Sequence, residues 1–317
     1  MTLRIENTTA ADVNHAISTE RHRLGSTATG MVLTLVIIAS EQSQSEATRA
    51  AAYSAGQHPC RILVVIPRPG RGKPRLDAEV NVGDINGPGE IVKLRLHGAL
   101  ANQQASVVLP LLLPDTPVVA WWPGEAPAVP SQDDVGKLAQ RRITDAAAQK
   151  RPLTALAQRI GSYEPGDTDL AWTRVTPWRS MLATALDLPF DPIVSAEVSA
   201  QKNNPSAPLL AAWLRARLGV PVTMKSTRGP GITGITVATK GGNITLTRPD
   251  GHTAQLKGPE TPPRQIPLHR RELRDNITEE LRLLDADEIY EQALNHLDSP
   301  GSVSKSKSPL RRKKAKS

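Results

Sequence analysis

The chain has 317 residues, enough for about two domains with a core each, and with 39% hydrophobic residues it reads as globular. Aromatic residues make up only 3%, with one Phe against five Trp, so the core must be built from Leu, Val, Ile and Ala, and the indoles stand out. A single cysteine, Cys60, excludes an internal disulfide and a cysteine-based zinc site, and of the net charge of +8 the last twenty residues, 298–317, supply +6.

The remaining 297 residues carry only +2, which argues against a basic nucleic-acid-binding body. The N-terminus is polar and mixed in charge, and the longest early apolar run, "MVLTLVIIA", is far shorter than the roughly 20 residues that span a bilayer. These features fit a soluble cytoplasmic protein.

In chain order, "MVLTLVIIAS" (31–40) reads as a buried strand, and "SEQSQSEATRAAAYSAGQ" (40–57) as a helix with Ser40 or Ser43 as N-cap and Gly56 at its end. "CRILVVIP" follows as a second buried strand. Two such strands around one helix make a βαβ unit with a parallel pair. "RLDAEVNVGD" and "GEIVKLRLHG" alternate, with Gly and Pro between them at 87–89, as in a hairpin on the same sheet. Then come a helix near 99–112, a strand "TPVVAWWPG", a Pro-rich loop, a helix near 132–140 and a short strand "RRITDAAA". Residues 152–187 read as helical, with Thr176 as an N-cap and Pro177 at the first helical position.

From Pro192 the pattern restarts: strand "PIVSAEVSA", helix "SAPLLAAWLRARLG", short strand "VPVTMK", then the alternating stretches "GITGITVATK", "GNITLTRPDG" and "HTAQLKG". The strand gaps look too short for crossovers, so this second sheet is expected to be antiparallel. Two helices close the pattern, "RRELRDNITEELRLL" and "DADEIYEQALNHL". The expected architecture is α/β: residues 1–189 form a mixed, mainly parallel sheet with helices on both faces and a helical linker over 152–189. Residues 190–297 form a smaller α+β domain. The tail 298–317, Ser- and Pro-rich and almost without apolar residues, has nothing to bury and reads as disordered; any nucleic acid it meets would be held nonspecifically.

Candidate chemistry is sparse. "PRPGRGKPR" (67–75) follows a strand and offers Arg68, Arg71, Lys73 and Arg75 as anion contacts, but its prolines remove donors and an alternating strand follows in place of a helix. "GPGITG" (229–234) matches the dinucleotide fingerprint in letters only, since a strand follows it too. The seven His are scattered without H-x-x-x-H spacing, and no G-x-S-x-G occurs, so no catalytic residue, cofactor site or metal site is assigned. "DADE" (285–288) fits the first turn of a helix, and Cys60 fits a small buried apolar residue.

Two Trp-bearing stretches remain. Trp121 and Trp122 sit at the end of a strand and point to opposite faces, so one is expected in the core and the other at the crevice or surface. "DLAWTRVTPWR" carries Trp172, Arg174, Trp178 and Arg179. Trp and Arg together favour partner hot spots, which makes these six residues the candidate interface.

"QHPCRILVVIPR", "ASVVLPLLLPDTPVVAWWPG", "DLAWTRVTPWRSMLA" and "EELRLLDADEIYEQAL" resemble the OpcA family, the glucose-6-phosphate dehydrogenase assembly proteins of actinobacteria and cyanobacteria, over about residues 10–297. The resemblance implies a non-catalytic protein with no cofactor that binds glucose-6-phosphate dehydrogenase and promotes its active, oligomeric form in the oxidative pentose phosphate pathway. No catalytic residues come with it. The competing reading of the residues is a sugar-phosphate or nucleotide-binding enzyme or sensor that uses the crevice at the strand ends.

Overall fold

The computed structural model describes residues 2–25, 30–83, 89–187 and 190–297; the basic tail and the expected turn residues Gly87 and Pro88 lie outside them. The chain opens with a strand and helix that the sequence pattern did not announce, β1 (Thr2–Thr8) and α1 (Ala10–Arg23). Their signal is weak because β1 is an edge strand and α1 buries only Val13, Ala16 and Ile17. A capping box starts α1: Thr9 Oγ1 accepts from the Asp12 N–H, and the Asp12 carboxylate accepts from the Thr9 N–H.

β2 (Leu33–Ile38), α2 (Gln44–Ala55) and β3 (Cys60–Arg68) form the expected βαβ unit, with Leu33 paired to Cys60 in a parallel ladder. β4 (Arg75–Val82) and β5 (Glu90–His97) are the expected antiparallel pair, and β5 runs parallel to β3. The single helix expected at 99–112 is broken into a 3-10 turn, the short α3 (Gln104–Val108) and another 3-10 turn. Gln103 leaves helical φ/ψ at −117°, 38°, and Pro110 has no N–H to give.

β6 (Val118–Trp121) is followed by a correction, because no α-helix forms at 132–140, which holds only the end of one 3-10 turn (Pro130–Gln132) and a second (Gly136–Leu138). Asp133 Oδ1 takes the N–H groups of Val135 and Gly136, which competes with the helical pattern. β7 (Arg141–Thr144) and α4 (Pro152–Ser162) come next. A strand within the stretch read as helical, β8 (Asp167–Asp169), then leads into α5 (Leu170–Thr173) and α6 (Thr176–Leu186). Thr176 is therefore the first residue of its helix, with Val175 in the capping position.

The remainder is β9 (Ile193–Gln201), α7 (Ser206–Leu218), β10 (Val222–Thr227), β11 (Ile232–Thr239), β12 (Gly242–Thr247), β13 (Thr253–Lys257), β14 (Arg264–Pro267), α8 (Leu273–Glu280) and α9 (Glu288–Asn295). The first sheet has the order β1-β4-β5-β3-β2-β6-β7-β8, parallel from β5 onward. The second has the order β10-β9-β11-β12-β13-β14. Its expected antiparallel character fails at one place: β9 and β10 pair in parallel, because α7 itself is the crossover between them.

Three apolar clusters fill the space. One lies between the first sheet and α1 and α3; a second lies on that sheet's other face under α2 and α8, with Ile277 and Leu281 fully packed. The third lies between the inner face of the second sheet and α5, α6, α7 and α9. After building the second sheet, the chain thus returns to the first: Ser54 of α2 and Thr278 of α8 share a hydrogen bond of 2.8 Å.

Candidate functional site

Pleating does send Trp121 and Trp122 to opposite faces of the first sheet, but both faces are covered. Trp121 joins the cluster under α2 and Trp122 the cluster under α1, at 0% and 3% exposure, so the expected surface member is absent. Trp172 and Trp178 are buried as well, at 1% each. The four indoles of the candidate interface are core residues of this chain.

The structure brings the second Trp-bearing stretch together at the junction of the two sheets, where Asp169, Trp172, Thr173 and Arg174 each hold a specific partner. The Asp169 carboxylate accepts from Thr144 Oγ1 and from the N–H groups of Ala146 and Ala171, and burial, then the charge of Asp145, pushes its pKa up. Trp172 donates Nε1–H to Asp287 Oδ2 at 2.7 Å and stacks on Tyr290, with centroids 5.6 Å apart. Arg179 lies over the indole, its guanidinium carbon 3.8 Å from the ring centroid. Thr173 donates to Glu280 Oε1 at 2.5 Å, and Glu280 Oε2 receives Arg141. Arg174 forks onto both oxygens of Asp145 at 2.7 Å.

The loop between β3 and β4 behaves differently from a phosphate cradle. Arg68 pairs with Glu41 at 2.7 Å and Arg75 with Asp77 at 2.9 Å, so both are engaged by carboxylates. Arg71 and Lys73 are exposed. Gly98, at φ +61°, lies under the loop, and a Cβ there would run into the Gly72 carbonyl. Titration with NADP or ATP is expected to show no micromolar binding at this loop. An affinity in that range that disappears in Arg71→Ala and Lys73→Ala would overturn the expectation. Cys60 is buried and its thiol is pushed up to about 12 by desolvation, which fits an apolar role.

The surface left open is the outer face of the second sheet. Its inner rows are buried, while register places Thr223, Glu197, Thr236, Thr245 and Lys257 side by side on the outward row, one from each of five strands. The next outward row holds Lys225, Ser199, Gly234, Thr247, Gln255 and Gln265. Apart from Gly234, which has no side chain, all of these are half-buried or exposed. The result is a hydroxyl-rich face with few charges on these two rows. Its sequence signal is the phase of Thr in "ITVAT" and "ITLT", which alternates against Ile, Val and Leu. Among the described residues, no group of three His, Cys, Asp or Glu side chains is placed to hold a metal ion.

Two family models match the chain: one described as glucose-6-phosphate dehydrogenase subunit N-terminal domain over residues 51–160, and one described as the C-terminal domain of that subunit over residues 165–294. A search of curated proteins finds no match. Among solved structures, the 3-ketoreductase KijD10 from Actinomadura kijaniata is similar at 10% identity and a TM-score of 0.47, covering 84% of this chain and 95% of its own. An NAD binding oxidoreductase from Klebsiella pneumoniae is similar at 8% identity and 0.43, with coverage of 84% and 94%. The dehydrogenase MviM from Clostridium difficile is similar at 7% identity and 0.40, with coverage of 84% and 92%. No feature of the site is carried over from them.

Proposed function

The chain belongs to the glucose-6-phosphate dehydrogenase subunit family, and from that membership we propose that it is a non-catalytic partner of glucose-6-phosphate dehydrogenase. It binds the enzyme and promotes its assembly and activity in the oxidative pentose phosphate pathway, in the cytoplasm. The observation that carries this reading is the pair of family matches, each described as part of a subunit and together running through both sheets. Among the described residues no helix is long and apolar enough to cross a membrane.

We place the docking surface on the outer face of the second sheet. A face of Thr, Ser and Gln with only Glu197, Lys225 and Lys257 as charges on its two outward rows asks a partner to desolvate few charges and offers hydroxyls and amides that it can hydrogen-bond. Arg174 and Arg179 take a supporting part in this proposal, since they hold the junction on which that sheet rests. Trp121, Trp122, Trp172 and Trp178 act beneath the surface.

Dehydrogenase turnover and complex size, measured with and without the purified chain, test the reading. Thr236→Arg and Thr245→Arg change half-buried outward positions and should leave the unfolding transition in place. Each is expected to cost at least ~2 kcal/mol of binding, about a thirtyfold loss of affinity. Parent-like activation by both variants would move the interface off this face. No effect of the parent chain on turnover or on complex size would remove the partner role itself.

A further inference from the structure

A cleft of about 590 Å3 opens between the two sheets, where the segments just past β6 and β7 face the end of β9, the start of α7 and residues 269–271. Its lining carries five Arg and Lys side chains, at positions 174, 202, 248, 270 and 271, against the carboxylates of Glu46 and Asp145. Asp145 is taken by Arg174, and Arg271 pairs with Glu279. Lys202, Arg248 and Arg270 have no carboxylate partner among the described residues.

Arg248 is the unusual member. It follows β12 in the inward phase and is only 4% exposed. Its guanidinium donates to the carbonyls of Leu268 at 2.8 Å and Ile232 at 3.1 Å and lies 4.8 Å from the Trp178 ring centroid, while its buried Nε has no partner. A cation taken out of water without a counter-ion is unfavourable. Burial, and then the nearby charge of Arg270, lowers its pKa to about 10, against a smaller opposing contribution from the Asp250 carboxylate, which does not touch it. An anion in the cleft would supply the missing opposing charge and offset both lowering effects.

The "GPGITG" turn borders the cleft through Gly231. Gly231 sits at φ +64°, and a Cβ there would lie 3.6 Å from both Arg270 Nε and Asn204 Nδ2. Asn204 uses its Oδ1 to accept from the Ser206 N–H, which leaves its amide nitrogen on the Gly231 side. The start of α7 adds no free donors nearby, since the Ala207 N–H is taken by the Asn204 carbonyl and Pro208 has none. Recognition must therefore come from side chains.

We propose that this cleft binds a phosphate monoester, held by Arg270, Lys202 and the Asn204 amide, with the charge of Arg248 beneath it. Three cations without carboxylates suit a dianion, and Arg in such a place favours phosphate over halide by its forked donors. The proposal concerns this chain alone and stands apart from partner binding.

Calorimetry on the purified chain tests it, with inorganic phosphate, a hexose 6-phosphate, the free hexose, and sodium chloride at matched ionic strength. Saturable heat is expected with both phosphates and with neither control; tighter binding of the hexose phosphate would show that the sugar also makes contacts. Arg270→Ala, at an exposed position, should weaken binding about tenfold or more, the scale of a charge-assisted hydrogen bond. Lys202→Ala should weaken it severalfold. Arg248→Met should abolish binding, and its melting temperature in phosphate-free buffer sets the relief of a buried charge against the loss of the donors to Leu268 and Ile232. Should that variant fail to fold, the two exposed variants decide. No saturable heat with either phosphate, or binding that is unchanged in the Arg270→Ala, Lys202→Ala double variant, would overturn the proposal.

Discussion

Glu280→Ala should destabilise the protein by about 3–5 kcal/mol, the scale for removing one partner of a buried ion pair. Glu280 is 6% exposed and its two oxygens serve two different elements: Oε2 accepts from Arg141 of β7 and Oε1 from Thr173 of α5, each at 2.5 Å. Without it, the Arg141 guanidinium, 4% exposed, keeps the Asp285 carbonyl but loses the one counter-charge it has among the described residues. That loss is a large fraction of the roughly 5–15 kcal/mol that separates folded from unfolded domains. Urea unfolding would show it as a lower midpoint at unchanged slope. The double variant Arg141→Met, Glu280→Leu should recover most of the loss, since an apolar pair of similar size can replace a buried ion pair. A cost below about 1 kcal/mol for the single variant would mean that water reaches Arg141 and the pair is worth only what a surface pair is worth.

Trp172→Ala should cost a similar ~3–5 kcal/mol, here by opening a cavity in the core. The indole is 1% exposed, and its loss leaves Asp287 without the Nε1–H donor and Arg179 without the ring it lies over. Trp172→Phe separates the contributions, because it keeps most of the apolar volume and removes the donor, and about 1 kcal/mol is expected for that bond alone. The same pair of variants addresses the partner. Activation of the dehydrogenase that falls only as the folded fraction falls would make Trp172 a core residue with no direct contact. Loss of activation in a Trp172→Phe protein that is fully folded would place the indole edge in the interface.

The elements with strong periodicity were legible in the sequence. The βαβ unit around α2 follows from two apolar runs flanking an Ala-rich helix, and the second sheet's alternating strands follow from Ile, Val and Leu in phase. The misses have local causes. β1 and α1 bury too little to leave a pattern, and Asp133 captures two backbone donors that a helix would need. For the candidate site, residue type was a poor guide to exposure: Trp and Arg are common at interfaces, yet in a chain with so few aromatics the core claimed the indoles, and the adjacent arginines were drawn in by Asp145 and by Trp172. Arg248 could have been found, because the alternation that puts Ile244 and Leu246 inside also puts residue 248 inside.

During synthesis the ribosome releases the first sheet long before the helix that seals it. Leu33, Leu35, Ile37 and Ile62 form an apolar surface that is closed in part by Ile277 of α8 and by Leu281 just past it, and the entire second sheet is made in between. A nascent chain therefore carries an open hydrophobic flank through most of its elongation, a surface that chaperones recognise and that favours aggregation. A polypeptide cut short anywhere before residue 273 lacks its closing piece, however well its earlier strands have paired. Proteases and holdases can thus tell chains that have acquired α8 from chains that have not by one exposed patch.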